Sequence, residues 1–300
     1  MTKTRAIFEL LIAGLFWGFG FVGTVWVLKS LAPSAIIFYR FGIAFVVGIA
    51  FALFQKRSKE FLLKEMGLAL IPGVFLWLTL ILQTWGLEYT TATNSTFITT
   101  LYVVLVPLMY SVTGQEKLSW LHWVCVGIAL IGTGLIVEIQ KMTTLNWGDV
   151  LTFLCAIFAA IHIIAIGQRA NKTQDDFTFN TFQSFWMAAF SLALFPFSTT
   201  SKWDLSALTS QGWIGLCLLG FGSSLIAFFL QIRAQKVISP SVVSLLFLLE
   251  SPISCAFAFW LLGENLNSWQ WMGAGLILLS CGFVTFLQTR EQPIAPPKPV

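Results

Sequence analysis

The stretch QEKLSWLHWVCVGIALIGTG at residues 115–134 recurs, with changes, 148 residues later as GENLNSWQWMGAGLILLSCG at residues 263–282. The two copies share acidic, apolar, aromatic and glycine positions, which pair as Glu116/Glu264, Leu118/Leu266, Trp123/Trp271, Gly127/Gly275 and Gly134/Gly282. The same shift aligns Gln83 with Gln231. The chain therefore contains an internal repeat of about half its length.

Long apolar runs fill the rest of the sequence. Of the 300 residues, 57% are hydrophobic and only 10% are charged, too few to cover the surface of a soluble domain. A membrane span needs about 20 mostly apolar residues. Ten such runs are predicted, at residues 6–29, 33–54, 65–87, 91–113, 118–138, 148–168, 177–198, 210–234, 239–262 and 268–288. Because lipid offers the backbone no hydrogen-bond partners, the predicted class is an all-α integral membrane protein.

Each copy of the repeat contains five predicted spans. Since this number is odd, the second copy must enter the membrane from the opposite face. The predicted architecture is ten transmembrane helices as two inverted five-helix repeats, which is typical of secondary transporters with a substrate site near the midplane. We expect the first repeat at residues 1–143, the second at 144–290, and a disordered cytoplasmic tail at 291–300, which is rich in proline.

The basic residues predict an orientation. If both termini are cytoplasmic, the inner segments carry thirteen Lys and Arg residues, whereas the outer segments carry only Lys29, Lys141 and Lys202. We therefore expect a multi-pass protein of the cell membrane, plasma or inner, with both ends in the cytoplasm. This bias explains the net charge of +4 without a nucleic-acid partner. The five cysteines lack metal-binding spacing, and neither a metal nor a cofactor is predicted.

Short motifs along about residues 6–288 add a family resemblance. They are LFWG at 15–18, YRF at 39–41, GLEYT at 86–90, FIT at 97–99, LY at 101–102, Pro107 and the two repeat endings. Together they resemble the EamA type of the drug/metabolite transporter (DMT) superfamily. The resemblance implies a secondary or facilitative transporter of amino acids, related metabolites or drugs, with alternating access and a cavity lined mainly by spans one, three, four, six, eight and nine. We expect an exporter.

One branch of that superfamily, the small multidrug transporters, has a membrane-embedded glutamate in its first span. Here Trp17 occupies the middle of the span and Glu9 lies near its start. This difference leaves proton coupling and uncoupled transport both open.

Glu250 lies near the middle of span nine, beside Pro252, which removes a backbone donor and favours a kink. Ionisable groups at this depth are costly and mark candidate functional sites. Glu250 is either a cavity carboxylate that binds an ammonium group or a proton, or a neutral acid hydrogen-bonded between helices. The 148-residue shift aligns it with Tyr102 of span four, so both repeats offer a polar group at comparable depth.

Arg40 and His162 are the other candidates that can carry charge. Arg40 lies about 10 Å inward from Pro33 at 1.5 Å per helical residue. Its guanidinium suits a substrate carboxylate, but it could also extend to the membrane surface or bind helix-end carbonyls, and we favour such a structural role. Gln183 corresponds to it in the second repeat. His162 could relay protons, although packing is the more common role of a lone histidine.

The uncharged candidates lie mainly on span four, where Ser95, Thr99 and Tyr102 share one helical face with Asn94 beside it. So many polar groups predict a wetted face, although small hydroxyls also serve helix packing. Asn94 is the first choice among them.

Trp17 and the paired glutamines complete the set. Trp17 either offers its face to an apolar or cationic substrate or fills space between helices, and its flanking Gly14 and Gly18 allow close helix approach. Gln83 and Gln231 either line the substrate path or bond across the interface between the halves.

The predicted function is therefore a monomeric carrier of small molecules. A channel-like pore and a membrane-embedded enzyme are the alternatives. No HExxH, GxSxG or Walker motif is present in the sequence, and an enzyme is not predicted.

Overall fold

The computed structural model describes residues 1–86, 89–90, 92–112, 119–137, 146–197, 200–263 and 265–290. Several predicted features lie outside these residues. They are the repeat positions Glu116, Leu118 and Glu264, the boundary at 143/144 and the tail at 291–300.

The described part of the chain is helical. Its helices are α1 (Lys3–Leu28), α2 (Pro33–Phe54), α3 (Lys59–Gly86), α4 (Ala92–Thr100), α5 (Tyr102–Val112), α6 (Trp120–Ile136), α7 (Trp147–Ala170), α8 (Asp176–Leu192), α9 (Ser210–Cys217), α10 (Phe228–Ala234), α11 (Pro240–Phe247), α12 (Glu250–Leu262) and α13 (Ser268–Arg290). A π-helical segment, Leu218–Ala227, joins α9 to α10. The prediction of an all-α membrane protein is confirmed.

Three of the ten predicted spans are composite. Span four consists of α4 and α5, span eight of α9, the π-helical segment and α10, and span nine of α11 and α12. Among the described residues, seven helical stretches, counting composite ones as one, are long and apolar enough to cross a membrane, and residues 97–112 and 120–136 form shorter apolar helices. Span seven is shorter than predicted, because α8 ends at Leu192 and turns of 3-10 helix follow it. Pro196 lies in the first of these turns and cannot continue an α-helix.

Local sequence signals fix where the helices begin. Thr2 accepts a hydrogen bond from the backbone N–H of Arg5 at the start of α1. Asn146 and Asp149 form a reciprocal capping box at the start of α7, which satisfies two otherwise unpaired backbone donors. Both α2 and α11 begin with a proline, whose missing N–H costs nothing at this position.

Helix contacts follow a pseudo-two-fold symmetry between the halves. Span three packs on span six, and span eight packs on span one. Span four likewise packs on span six, and span nine on span one. Span two packs on span seven, and span five on span ten. Exchanging each span with the one five places away reproduces the same set of contacts, as expected of two inverted repeats.

Glycines allow close approach where the halves meet. A Cβ added to Gly132 of α6 would lie 2.7 Å from the carbonyl oxygen of Gly273 in α13, and one added to Gly215 of α9 would lie 2.7 Å from that of Gly23 in α1. Small residues at such crossings let helix backbones touch in a membrane. Larger side chains at these positions would separate the halves.

Charged contacts join the two halves at the end of the bundle where α1 begins, here called the N-terminal face. Glu9 of α1 pairs with Arg233 of α10, with 3.0 Å between Oε1 and Nη2. Arg57, which follows α2, pairs with Asp175 before α8 at 2.9 Å. The buried Glu65 of α3 accepts hydrogen bonds from the Thr173 hydroxyl and the Gln174 backbone N–H. The halves are therefore held together here by ionic groups.

Neutral contacts join the halves at the opposite end, here called the distal face. The backbone N–H of Ala32 donates to the carbonyl of Lys202 at 2.8 Å, and the Tyr39 hydroxyl donates to that of Trp203 at 2.7 Å. The loop after α8 thus covers the start of α2.

Asp204 holds this covering loop in shape. Its carboxylate accepts hydrogen bonds from the backbone N–H and the hydroxyl of Ser206, at 2.8 and 2.7 Å. These two bonds hold the pKa of Asp204 below its usual range because they favour the charged form.

Candidate functional site

The site is built around two helix breaks that correspond in the repeat. Tyr102 is the first residue of α5 and Glu250 is the first residue of α12, 148 residues further on. At the second break the Ser251 backbone N–H bonds to the carbonyl of Leu248, three residues earlier. Pro252 supplies no N–H four residues after Leu248, so the regular α-helical bond cannot form there. The predicted disruption at Pro252 therefore coincides with a real break.

Arg40 points into the bundle toward the second half. Its Nε donates to the Ser224 hydroxyl oxygen at 2.9 Å, and its Cζ lies 5.1 Å from the centre of the Phe41 ring. Glu250 of the second half is near it. The structure thus places the guanidinium inside the protein and not at a membrane surface.

Arg40 and Glu250 are near each other but are not joined directly. The ion pairs among the described residues join other groups and leave these two without a salt bridge. Arg40, Tyr102 and Glu250 all keep some accessible surface although they lie deep among the helices. This part of the bundle therefore brings together a guanidinium, a carboxyl group and a phenol.

A π-helical segment supports Arg40 from the second half. Ser224, which binds Arg40, lies within Leu218–Ala227. Asn180 of α8 donates from Nδ2 to the carbonyls of Ser224 and Leu225, at 3.1 and 2.9 Å. Wider π turns leave carbonyls unpaired in the helix, and such segments occur frequently at functional sites. Asn180 stabilises this irregular segment and so helps to fix Ser224.

Aromatic rings from both halves form one wall of the site. The half-buried Trp17 meets Phe228 edge-on at 5.3 Å and Phe247 at 4.8 Å between ring centres. Phe228 also contacts Phe41 at 5.9 Å. Trp17 is thus part of an aromatic cluster beside Arg40, and Ile253 of α12 packs closely on the neighbouring Gly18.

His162 and Gln183 form a second polar group beside this wall. His162 meets the Phe228 ring edge-on at 6.1 Å and lies next to the Gln183 amide. The Gln183 amide is the hydrogen-bonding neighbour of His162, and beyond this approach neither His162 Nε2 nor the two amide atoms of Gln183 meet a polar atom at full hydrogen-bonding geometry among the described residues. Both side chains are buried.

The paired glutamines do not bridge the halves. Gln83 donates to the Thr99 hydroxyl at 3.2 Å, within the first half. Gln231 donates to Gln235 at 2.9 Å, one turn further along the same span. The Thr99 hydroxyl also lies 4.0 Å from the sulfur of Cys155 in the second half.

The polar face of span four is directed toward α7. The Ser95 hydroxyl lies 3.5 Å from that of Thr152, in addition to the Thr99–Cys155 contact. The side chain of Asn94 lies outside the described side chains.

The sequence matches one family model twice. The EamA-like transporter family is matched at residues 4–138 and again at residues 146–286. The chain belongs to this family. The two matches correspond to the two five-helix repeats, and the predicted family resemblance is confirmed.

Individual relatives are also named as transporters. An uncharacterised transporter of Archaeoglobus fulgidus is 30% identical over 279 residues, which cover 90% of this chain and 82% of that protein. A protein named biotin transporter from Salmonella typhimurium is 26% identical over 224 residues, 74% of this chain and 73% of that protein. A solved crystal structure shares the fold with a TM-score of 0.80 at 18% identity, over 96% of this chain and 99% of the other. The chain is accordingly a membrane transporter.

The sequence predicted most of the residues that meet in this site, but not the side chains that hold them in place. Arg40, Tyr102, Glu250, Trp17 and His162 converge as a group, whereas Gln83 and Thr99 make a separate contact near α7. The missed supports are Asn180, Ser224, Phe228 and Phe247. One signal could have indicated the π-helical segment, namely the glycines and serines of GFGSS at 220–224.

Two further features lie apart from the site. A groove of about 610 Å³ between α2 and α8 is lined by apolar side chains and opens past the exposed Val46 and Leu192. Within the described ranges, no three His, Cys, Asp or Glu side chains come close enough to hold a metal ion.

Proposed function

We propose that this chain is a secondary or facilitative carrier that moves small metabolites with both a carboxylate and an ammonium group, such as amino acids, by alternating access. One observation carries the proposal. Arg40 and Glu250 come from opposite halves and lie near each other without a salt bridge among the described residues. A guanidinium suits a carboxylate, and a carboxylate suits an ammonium group. A zwitterion between them would satisfy both charges.

The inverted halves supply the movement. A central site held by both halves opens to one side and then the other as the halves rock. The excess of Lys and Arg at the N-terminal face supports a cytoplasmic location for that face, with both termini inside the cell. For the direction of transport we propose export. The protein acts as a monomer in the cell membrane, and Glu250 is the group that would couple transport to protons.

Purified protein in proteoliposomes tests this function. The panel comprises zwitterionic amino acids, biotin and the lipophilic cation tetraphenylphosphonium. Biotin is included because relatives are named for it, although it has a carboxylate and no ammonium group. We expect saturable flux of amino acids and accelerated counterflow when the opposite side is preloaded. Linear flux without counterflow would show that the protein is a pore and not a carrier.

Two matched variants connect the flux to the site. Arg40→Met and Glu250→Gln should each lower amino-acid flux at least tenfold, because each leaves one charge of the substrate without a partner. Glu60→Gln removes an exposed carboxylate in the first turn of α3 and should leave the flux unchanged.

A further inference from the structure

We propose that the apolar groove between α2 and α8 binds one acyl chain of a membrane phospholipid, which enters from the bilayer leaflet at the distal face and lies against both halves of the protein. The groove offers this chain about 610 Å³, a volume typical of small-molecule sites. The inference goes beyond the proposed transport function and does not depend on it, because neither Arg40 nor Glu250 lines the groove.

Small residues create the groove where the two helices pass each other. Gly42 on α2 and Ala188 and Ala189 on α8 line it, between larger side chains such as Phe38 and Phe185. A Cβ added to Gly42 would meet no other atom within 4 Å, so this face of α2 borders open space. The helices therefore leave room here that their own side chains do not fill.

The groove ends inside the bundle on the side of the N-terminal face. Phe45 and Phe185 meet there with 5.2 Å between their ring centres. Beyond them the helices touch, since a Cβ added to Gly48 would overlap the Thr181 side chain. At the other end the groove reaches Leu192, the exposed last residue of α8. A chain that enters from the distal leaflet thus reaches Phe45 and Phe185 with its methyl end.

The groove has the depth and the lining that suit a hydrocarbon chain. Gly42 lies near the middle of α2 (Pro33–Phe54), about 13 Å from its start at 1.5 Å per residue. The polar side-chain group among the lining residues is the Tyr39 hydroxyl, and it already donates to the Trp203 carbonyl at 2.7 Å. Among the described lining residues no side-chain donor is left for a headgroup or a soluble metabolite.

Lipid is the occupant that this environment supplies. A bound water needs roughly two to four polar partners, which the groove does not offer. An empty groove would leave the side chains along it without contacts on one side. Association inside a membrane depends on such packing contacts, because lipid chains are as apolar as the protein surface. A flexible acyl chain can follow the space between the two helices and supply these contacts.

A chain in the groove touches both halves at once, since α2 belongs to the first half and α8 to the second. Phe38 borders it from one side and Phe185 from the other. A ligand that binds the folded protein stabilises it, and this one binds across the contact between the halves. The bound chain therefore stabilises the arrangement of the halves seen in this structure.

Photoreactive phospholipids test the position of the chain. Wild-type protein in phosphatidylcholine nanodiscs receives a trace of phosphatidylcholine with a diazirine near the methyl end or near the carboxyl end of one chain. We expect the first probe to label Phe45 or Phe185 at least fivefold more than Leu279, an exposed residue near the middle of α13. The second probe should label Tyr39 or Leu192. A reversed order, or equal labelling at Leu279, overturns the proposal.

A substitution that fills the groove connects the labelling to this site. Gly42→Leu adds a side chain where the structure has open space, so it should lower labelling at Phe185 at least fivefold and leave labelling at Leu279 unchanged. Gly127→Leu on α6 is the matched control, because this glycine is also half-buried and also borders open space. Unchanged labelling at Phe185 in Gly42→Leu would rule out a chain in the groove.

Thermal melting in detergent distinguishes the chain from the headgroup. Dipalmitoyl phosphatidylcholine should raise the melting temperature of delipidated wild-type protein and of Gly127→Leu, but not that of Gly42→Leu. Glycerophosphocholine, which has the same headgroup and no chains, should change none of them. An equal rise in Gly42→Leu would place the stabilising lipid elsewhere. A dimer of the wild-type protein in sedimentation that Gly42→Leu abolishes would show that a second copy occupies the groove, and would overturn the proposal.

Discussion

Tyr102 and Glu250 begin the second helices of two broken spans, lie 148 residues apart in the chain, and come near each other where the halves meet. The repeat thus brings its two helix breaks together at one site. Each break divides a span into two short helices, which provides a place where the helix can bend. A transporter that rocks its halves around a central site needs such points next to the bound molecule.

Glu250 should control the response of transport to pH. Glu250→Gln removes the ionisable group at the centre, so we expect flux to become independent of pH over the range in which wild-type flux varies. Flux into proteoliposomes, measured at a series of pH values with equal pH on both sides, provides the test. Glu60→Gln serves again as the exposed control and should keep the wild-type profile. If Glu250→Gln also keeps it, Glu250 does not exchange protons during transport.

Arg40 and Glu250 should depend on each other for stability. Arg40→Met removes the positive charge nearest to Glu250, which lies deep in the bundle. Because no salt bridge joins the two groups, we expect a loss of stability smaller than the cost of about 3 kcal/mol for breaking a buried ion pair. The double variant Arg40→Met/Glu250→Gln removes both charges and should recover most of the loss. Thermal melting of the two single variants and the double variant in detergent gives the energy by which the two charges depend on each other. Additive losses in the double variant would show that the two charges are independent.

The number and direction of the spans were predictable because the bilayer imposes them. Ten apolar runs and the copies at 115–134 and 263–282 required two opposed halves. The break in span nine was also predictable, since Pro252 removes a backbone donor. These features depend on local composition or on a comparison of the sequence with itself.

The arrangement of the site was less predictable because it depends on contacts between helices. The depth of Arg40 in span two could be predicted from the sequence. The direction of its side chain could not, because Ser224, 184 residues away in the chain, sets it. The π-helical segment depends on Asn180, which binds carbonyls that a regular helix would have paired internally. Periodicity within one span contains no information about such partners.

Asn180 should stabilise the π-helical segment. Asn180→Ala leaves the carbonyls of Ser224 and Leu225 without their donor, and a buried unpaired acceptor costs about 1–3 kcal/mol. We expect a lower melting temperature and a weaker affinity for the transported amino acid, because Ser224 then no longer positions Arg40. Thr79→Val is the control, since this hydroxyl bonds only to the Phe75 carbonyl of its own helix. Equal melting temperatures in the two variants would contradict this role.

The N-terminal face should have to open in every transport cycle. Glu9 and Arg233 belong to different halves and lie 3.0 Å apart there, so a covalent link between the two positions should hold that face closed. We expect a short bis-maleimide that contains a reducible disulfide to lower flux at least tenfold in Glu9→Cys/Arg233→Cys, made in a chain whose five native cysteines are alanine. Reduction of the linker should restore the flux.

A second pair of positions separates closure of the face from chemical damage. Asp176 and Lys236 form an ion pair at the same face, but both belong to the second half. The same linker between cysteines at these positions should leave the flux unchanged, since the halves remain free to separate. If linking Glu9→Cys to Arg233→Cys leaves the flux unchanged as well, the start of α1 and the end of α10 do not move apart. The rocking of the two halves would then have to be replaced by a motion confined to the broken spans.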